Sequence, residues 1–290
     1  MTENIKPGDI LMFEVGDDRL SKAIGKLTKS NVCHCALAVS SNELIEMRGN
    51  GVQKKNISDY KDEIIFKLNL RDEKDMMPVI NAAEKYMADG IPYDWPSLVM
   101  IGGLLVYSRF NKKLKHKRIV NPILGVACWS LDKLLIKINN SGSNEAMMCS
   151  QFVYQCYLDA GEGYYIEIEN GLIFADKECD EPSLSDLLSN EDDIEMAPIL
   201  TIDPSEIDEE QLAQELFDAL DYETGDVEYE HLDGGVFAKT LSNAKRFMDL
   251  VEKILDVIGP DIPRPALFVT PADICFHSAN LERHVIPYGK

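Results

Sequence analysis

The chain has little of what membranes, nucleic acids and disulfide scaffolds require. Its longest apolar run, Pro96-Ser-Leu-Val-Met-Ile-Gly-Gly-Leu-Leu-Val-Tyr107, falls short of the ~20 residues that cross a bilayer, so stable membrane insertion is not expected. The start, Met1-Thr-Glu-Asn-Ile-Lys-Pro7, is polar and lacks the apolar core of a secretory leader. This predicts a protein that stays in the cytoplasm or leaves it without a cleaved signal peptide. No Lys or Arg occurs from Glu178 through Ala238, and phosphate contacts need such residues clustered, so nucleic acid is not an expected partner. There is no phosphate-cradling glycine loop, no CxxC pair and no internal repeat. The seven cysteines are an odd number, which argues against a disulfide framework.

What is present is uneven. The 290 residues carry a formal charge of −21, and 21 of the 50 Asp and Glu lie between Glu178 and Asp233. The other 29 acidic residues are balanced by 29 Lys and Arg. The excess charge therefore belongs to one stretch, read as an acidic, mainly helical insertion over residues 181–259. Apolar residues recur there at helical spacing, as in Leu212, Leu216, Phe217 and Leu220, and again from Leu241 to Leu255. Three roles remain open for this region 178–238: a solvated acidic face, a docking surface for a basic protein partner, or a lid. The basic run Lys112–Arg118 reads as a solvated helix end or loop. Asp221–Leu232 has glycine at position 5 and leucine at position 12, which does not suit a calcium loop.

Two distant segments carry the chemistry. Asn31-Val-Cys-His-Cys-Ala-Leu-Ala-Val39 reads as a strand with a histidine, and Met148-Cys-Ser-Gln-Phe-Val-Tyr154 as a helix start with a cysteine. Turn and capping residues Ser141–Asn144 precede Cys149, and an apolar stripe of Phe152, Val153, Cys156, Tyr157 and Ala160 follows, stopped by Gly161. Cys149 is thus expected in a first helical turn, where unpaired N–H groups stabilise a thiolate and can donate to an oxyanion. On a strand, His34 points away from Cys33 and Cys35, so the three do not chelate one ion together. A short turn after Val39 returns the strand Leu44–Met47 beside His34. Glu46 is then the carboxylate placed to orient the imidazole, with Asp94 as a competitor.

Further elements come in a recognisable order. They are Gly8-Asp9 before an apolar strand, Cys33-His34, Glu46, Tyr93-Asp94, Cys149-Ser-Gln-Phe-Val153 and Thr270-Pro-Ala-Asp273. In this order they resemble the permuted papain-fold cysteine hydrolases, the circularly permuted NlpC-type group that includes YiiX-like proteins. Lecithin:retinol acyltransferase-like enzymes are more distant relatives. The resemblance spans roughly residues 5–180 and 262–285. It implies an α+β, circularly permuted papain-like fold, with a small antiparallel sheet packed on the nucleophile helix, formed by residues 1–180 and 260–290. It implies a thiol-dependent hydrolase with Cys149 as nucleophile, His34 as base and Glu46 as orienter, and no cofactor or metal. The expected reaction is cleavage of a peptide-like amide through an acyl-enzyme, as in an amidase or peptidase, with an exported effector as one setting. The alternatives are a lipid-directed thioesterase or acyltransferase, and a non-catalytic binding module on a hydrolase fold. Met148 stands where the acyltransferase branch favours asparagine.

Overall fold

A computed structural model describes residues 5–60, 62–94, 147–169, 171 and 269–286, together with the single residues Leu98, Cys128, Asp132, Arg246, Leu250 and Lys253. The apolar run 96–107, the basic run 112–118, the turn and capping residues 141–145, Cys179, the calcium-like stretch 221–232, the acidic region 178–238 and most of 241–255 lie outside the described residues. The chain divides into two units, one of residues 1–94, 144–175 and 263–290, the other of residues 95–143 and 176–262. Residues 95–143 thus cluster with the acidic stretch rather than with the unit that holds His34 and Cys149. In the second unit Arg246 pairs with Asp132, and burial pushes the Cys128 thiol up to about 12.

The first unit is an α+β assembly. In chain order it runs β1 (Ile10–Glu14), α1 (Arg19–Thr28), β2 (Val32–Ala38), β3 (Glu43–Arg48), β4 (Gly51–Asn56), a 3-10 turn (Ile57–Tyr60) and β5 (Ile64–Leu70). Helices α2 (Met77–Ala88), α3 (Cys149–Asp159) and α4 (Pro271–Phe276) follow, and β6 (Leu281–Val285) closes it. The six strands form one sheet in the order β4-β3-β2-β1-β5-β6, with every pair antiparallel.

Local chemistry accounts for the elements. Asp18 caps α1 by accepting from the Ser21 N–H at 2.8 Å. The turn from β2 to β3 closes through Ser40 Oγ, which accepts from the N–H groups of Asn42 and Glu43. Gly51 has φ +95°, and a Cβ there would stand 2.8 Å from the Ile91 carbonyl oxygen. Only glycine suits both that backbone and that approach. Gly8-Asp9 anchors the start of β1: Gly8 N–H donates to the Ala38 carbonyl, and Asp9 Oδ2 accepts from the Lys6 N–H and from Lys67 Nζ.

The sheet separates two apolar layers. Cys35, Leu37, Ile45 and Met47 face the layer that includes Cys149, Phe152, Val153 and Cys156 of α3. Leu11, Phe13, Ala36, Ala38, Leu44 and Ile64 face the other. This is the period-2 alternation of strands. Helix α3 packs across β2 and β3 and against α2. Tyr157 fastens it to β1's entry by donating to the Gly8 carbonyl at 2.6 Å. Thr270-Pro-Ala-Asp273 is a reciprocal helix cap: Thr270 Oγ1 accepts from Asp273 N–H, while Asp273 Oδ2 accepts from Thr270 N–H. Ser150 Oγ ties that cap to α3 by donating to the Val269 carbonyl at 2.7 Å. No helix among the described residues is long and apolar enough to cross a membrane.

Candidate active site

Cys149 is the first residue of α3, and its side chain is buried against β2. The N–H groups of Cys149 and Ser150 have no intrahelical acceptor, because none exists one turn earlier. Gln151 is fully buried; its Oε1 accepts from the Met148 N–H at 3.3 Å, whereas its Nε2 has no partner.

His34 and Glu46 lie on the sheet face opposite the α3 layer, level with Phe13 and Leu44. His34 nevertheless touches Cys149. The register explains how. Strands β2 and β3 pair from Ala38↔Leu44 to Ala36↔Glu46, where their pairing ends. At the level of His34 no β3 residue is paired across, and α3 packs against both β2 and β3. Cys35, on the α3 side of the same strand, also hydrogen-bonds to Cys149. Neighbouring residues with opposite orientations therefore converge on one sulfur.

The imidazole is held on three sides. Its Nε2 lies 2.8 Å from Glu46 Oε2, and its ring meets Phe13 edge-on with centroids 4.9 Å apart. Since Nε2 donates to the carboxylate, Nδ1 is the nitrogen left for the thiol. Glu46 is completely buried and accepts three more bonds: from Arg48 Nε at 2.8 Å, Gln53 Nε2 at 3.0 Å and Tyr60 hydroxyl at 2.7 Å. Arg48 in turn lies over the Tyr60 and Phe13 rings. A buried carboxylate needs such compensation.

The electrostatics follow from these contacts. Burial would raise the Glu46 carboxyl, but its bonds to His34, Arg48 and Tyr60 bring it down to about 2. Burial would lower the His34 imidazole; the Cys149 thiolate and Glu46 overcome that and push it up to about 9. The Cys149 thiol is held well below its ordinary value by the hydrogen bond from Cys35 and by His34, against the effect of burial. Cys35 moves the opposite way, raised by burial and by the neighbouring sulfur. Cys149 therefore carries the thiolate, His34 the proton and Cys35 a neutral thiol.

Cys149, His34 and Glu46 are thus brought together. Asp94 takes another place: it is buried, and its N–H donates to the Met147 carbonyl at 3.0 Å, part of a parallel bridge between Tyr93 and Met147. Tyr93 lies close enough to Cys149 for the thiolate to add to the burial that raises its phenol well above the ordinary value. Sequence reasoning passed over Tyr93 and Cys35 as site residues. Strand parity alone puts Cys35 on the face opposite His34, the face that receives the helix. Among the described residues no group of three or more His, Cys, Asp and Glu is placed to hold a metal ion.

Fold and site together define an α+β protein in which a half-buried imidazole lies between a buried thiol and a buried carboxylate. No protein-family model, curated protein or solved structure matches the chain.

Proposed function

We propose that the protein is a cysteine hydrolase that cleaves a peptide-like amide bond through an acyl-enzyme, in the manner of the permuted papain-fold, NlpC-type hydrolases its motifs resemble. One observation carries this reading: His34 lies between the Cys149 sulfur and a carboxylate that four donors hold in its ionised form. The Cys149 thiolate attacks the substrate carbonyl carbon, and charge grows on its oxygen. The unpaired N–H groups at the start of α3 supply donors for that oxyanion. The imidazolium gives its proton to the departing amine and then, as neutral imidazole, takes one from the water that hydrolyses the thioester. Glu46 fixes the ring and stabilises its charged form. In this reading the enzyme acts as an exported effector, and its acidic region 178–238 docks a basic protein partner.

The test is release of arylamine from a panel of peptide anilides, with mass spectrometry of the enzyme during turnover. The expected result is an acyl adduct on Cys149 and no turnover in Cys149→Ala. Turnover that survives Cys149→Ala would sink the assignment.

A further inference from the structure

Two sulfurs meet at this site, and hydrolysis uses one. Cys35 and Cys149 share a buried apolar cluster, one from mid-strand β2 and one from the first turn of α3, and their side chains hydrogen-bond to each other. Cys35 is fully buried and held in register opposite Met12 of β1. Cys275 belongs to the same cluster and neighbours Cys35, but it is not among the main groups that shift the Cys149 thiol. Cys33 is engaged elsewhere, accepting from Ser21 Oγ at 3.1 Å and donating to the Glu14 carbonyl at 3.3 Å. Cys156 lies two turns along α3 from Cys149.

We infer that Cys149 and Cys35 form a peroxide-responsive pair, in which oxidation of the nucleophile is captured as a reversible disulfide. The inference rests on the reading of Cys149 as a thiolate nucleophile. In the first step the Cys149 thiolate attacks one oxygen of hydrogen peroxide; an S–O bond forms, the O–O bond breaks, and hydroxide leaves. Sulfur is oxidised to the sulfenic acid and peroxide is reduced. The His34 imidazolium gives its proton to that hydroxide, making water. In the second step Cys35 attacks the sulfenic sulfur; an S–S bond forms, the S–O bond breaks, and the departing hydroxide takes the Cys35 proton as a second water. One peroxide thus converts two thiol sulfurs into one disulfide and two waters. A dithiol reductant reverses the change.

Three features favour the pair. A low-lying thiolate is the form that reacts with peroxide. Burial admits peroxide, little larger than water, more readily than bulky oxidants. The two side chains already interact between β2 and the first turn of α3, and a sulfur captured as disulfide escapes irreversible oxidation to sulfinic acid. In the oxidised state the Cys149 sulfur is bonded to Cys35 and cannot attack a carbonyl, so catalysis stops.

Full-length protein is treated with hydrogen peroxide, then alkylated, digested and mapped with and without dithiothreitol. The expected products are a Cys35–Cys149 linked peptide and nearly complete recovery of Cys149 labelling after reduction. Cys35→Ser keeps a hydrogen-bond donor but cannot form the bond, so recoverable Cys149 should fall about tenfold, with sulfinic acid in its place; Cys33→Ser should behave as wild type. Iodoacetamide labelling at pH 6, before oxidation, separates two failures. Labelling of Cys149 no faster than Cys156 defeats the thiolate reading and this inference with it. Fast labelling followed by equal sulfinic acid in wild type and Cys35→Ser, or by a link to Cys33, overturns the inference alone.

Discussion

The first and last turns of α3 hold the same residue in the same degree of burial and treat it in opposite ways. Cys149 and Cys156 are seven residues apart, 6% and 0% exposed, and belong to one apolar cluster. Burial raises both thiols. At Cys156 burial dominates and nearby Asp159 pushes the same way, with only a backbone hydrogen bond opposing them, so the thiol stays well above its ordinary value. At Cys149 the bond from Cys35 and the charge of His34 reverse the direction, and the helix N-terminus favours negative charge where the C-terminus opposes it. Burial makes a cysteine inert; partners and helix polarity make it reactive.

The sharpest way to break this comparison is to remove the imidazole. At pH 6 an unperturbed thiol with a pKa of about 8.5 is well under 1% ionised. Iodoacetamide should therefore label wild-type Cys149 roughly a hundredfold faster than Cys156, and His34→Ala should remove at least about tenfold of that difference. Equal labelling of the two cysteines in wild type would erase the distinction between the turns.

The next largest effect is expected from Glu46→Gln, which keeps the shape and loses the charge. His34 is protonated up to about 9 because the thiolate and Glu46 favour its cation. The alkaline limb of the pH–rate profile should therefore lie near 9 in wild type and move to lower pH in the variant, with roughly tenfold less activity at neutral pH. The sign for stability is the reverse. The Glu46 carboxyl titrates near 2, below its unfolded value of about 4.3, so its stabilisation is full above that value and fades as pH falls through 2. Acid unfolding followed by circular dichroism should show Glu46→Gln missing that part of the loss; an unchanged alkaline limb would remove Glu46 from the relay.

Smaller changes sharpen the picture. Tyr60→Phe deletes one of the four donors to Glu46 and should cost about 1 kcal/mol in denaturant unfolding, with activity reduced only a few-fold. Cys156→Ala should leave Cys149 labelling unchanged and cost about 1 kcal/mol through the lost sulfur. A change in Cys149 reactivity in that variant would show the two turns to be coupled.

Much of this was legible residue by residue. Gly161 marks the end of α3 because, with no side chain, it takes the positive φ that releases the chain from the helix. Alternation put Leu44 and Glu46 on one face and Ile45 and Met47 on the other, which singled out Glu46. The hairpin from β2 to β3 made its meeting with His34 a local matter. Other features were not legible. Gln53 and Tyr60 reach Glu46 from the next strand and the turn beyond it, and nothing in their spacing marks them as its donors. The grouping of residues 95–143 with 176–262 joins segments distant in sequence, which no local pattern records.

The sequence by itself determined the elements, their order and the residue types able to act, since capping, turn chemistry and periodicity operate over a few residues. Tertiary structure alone decided that a histidine and a cysteine on opposite faces of β2 both reach Cys149, more than a hundred residues away. That convergence depends on where the β2–β3 pairing ends, at Ala36 and Glu46, and on α3 docking its first turn against β2. Strand pairing and helix docking set that position together, and with it which buried sulfur is ionised.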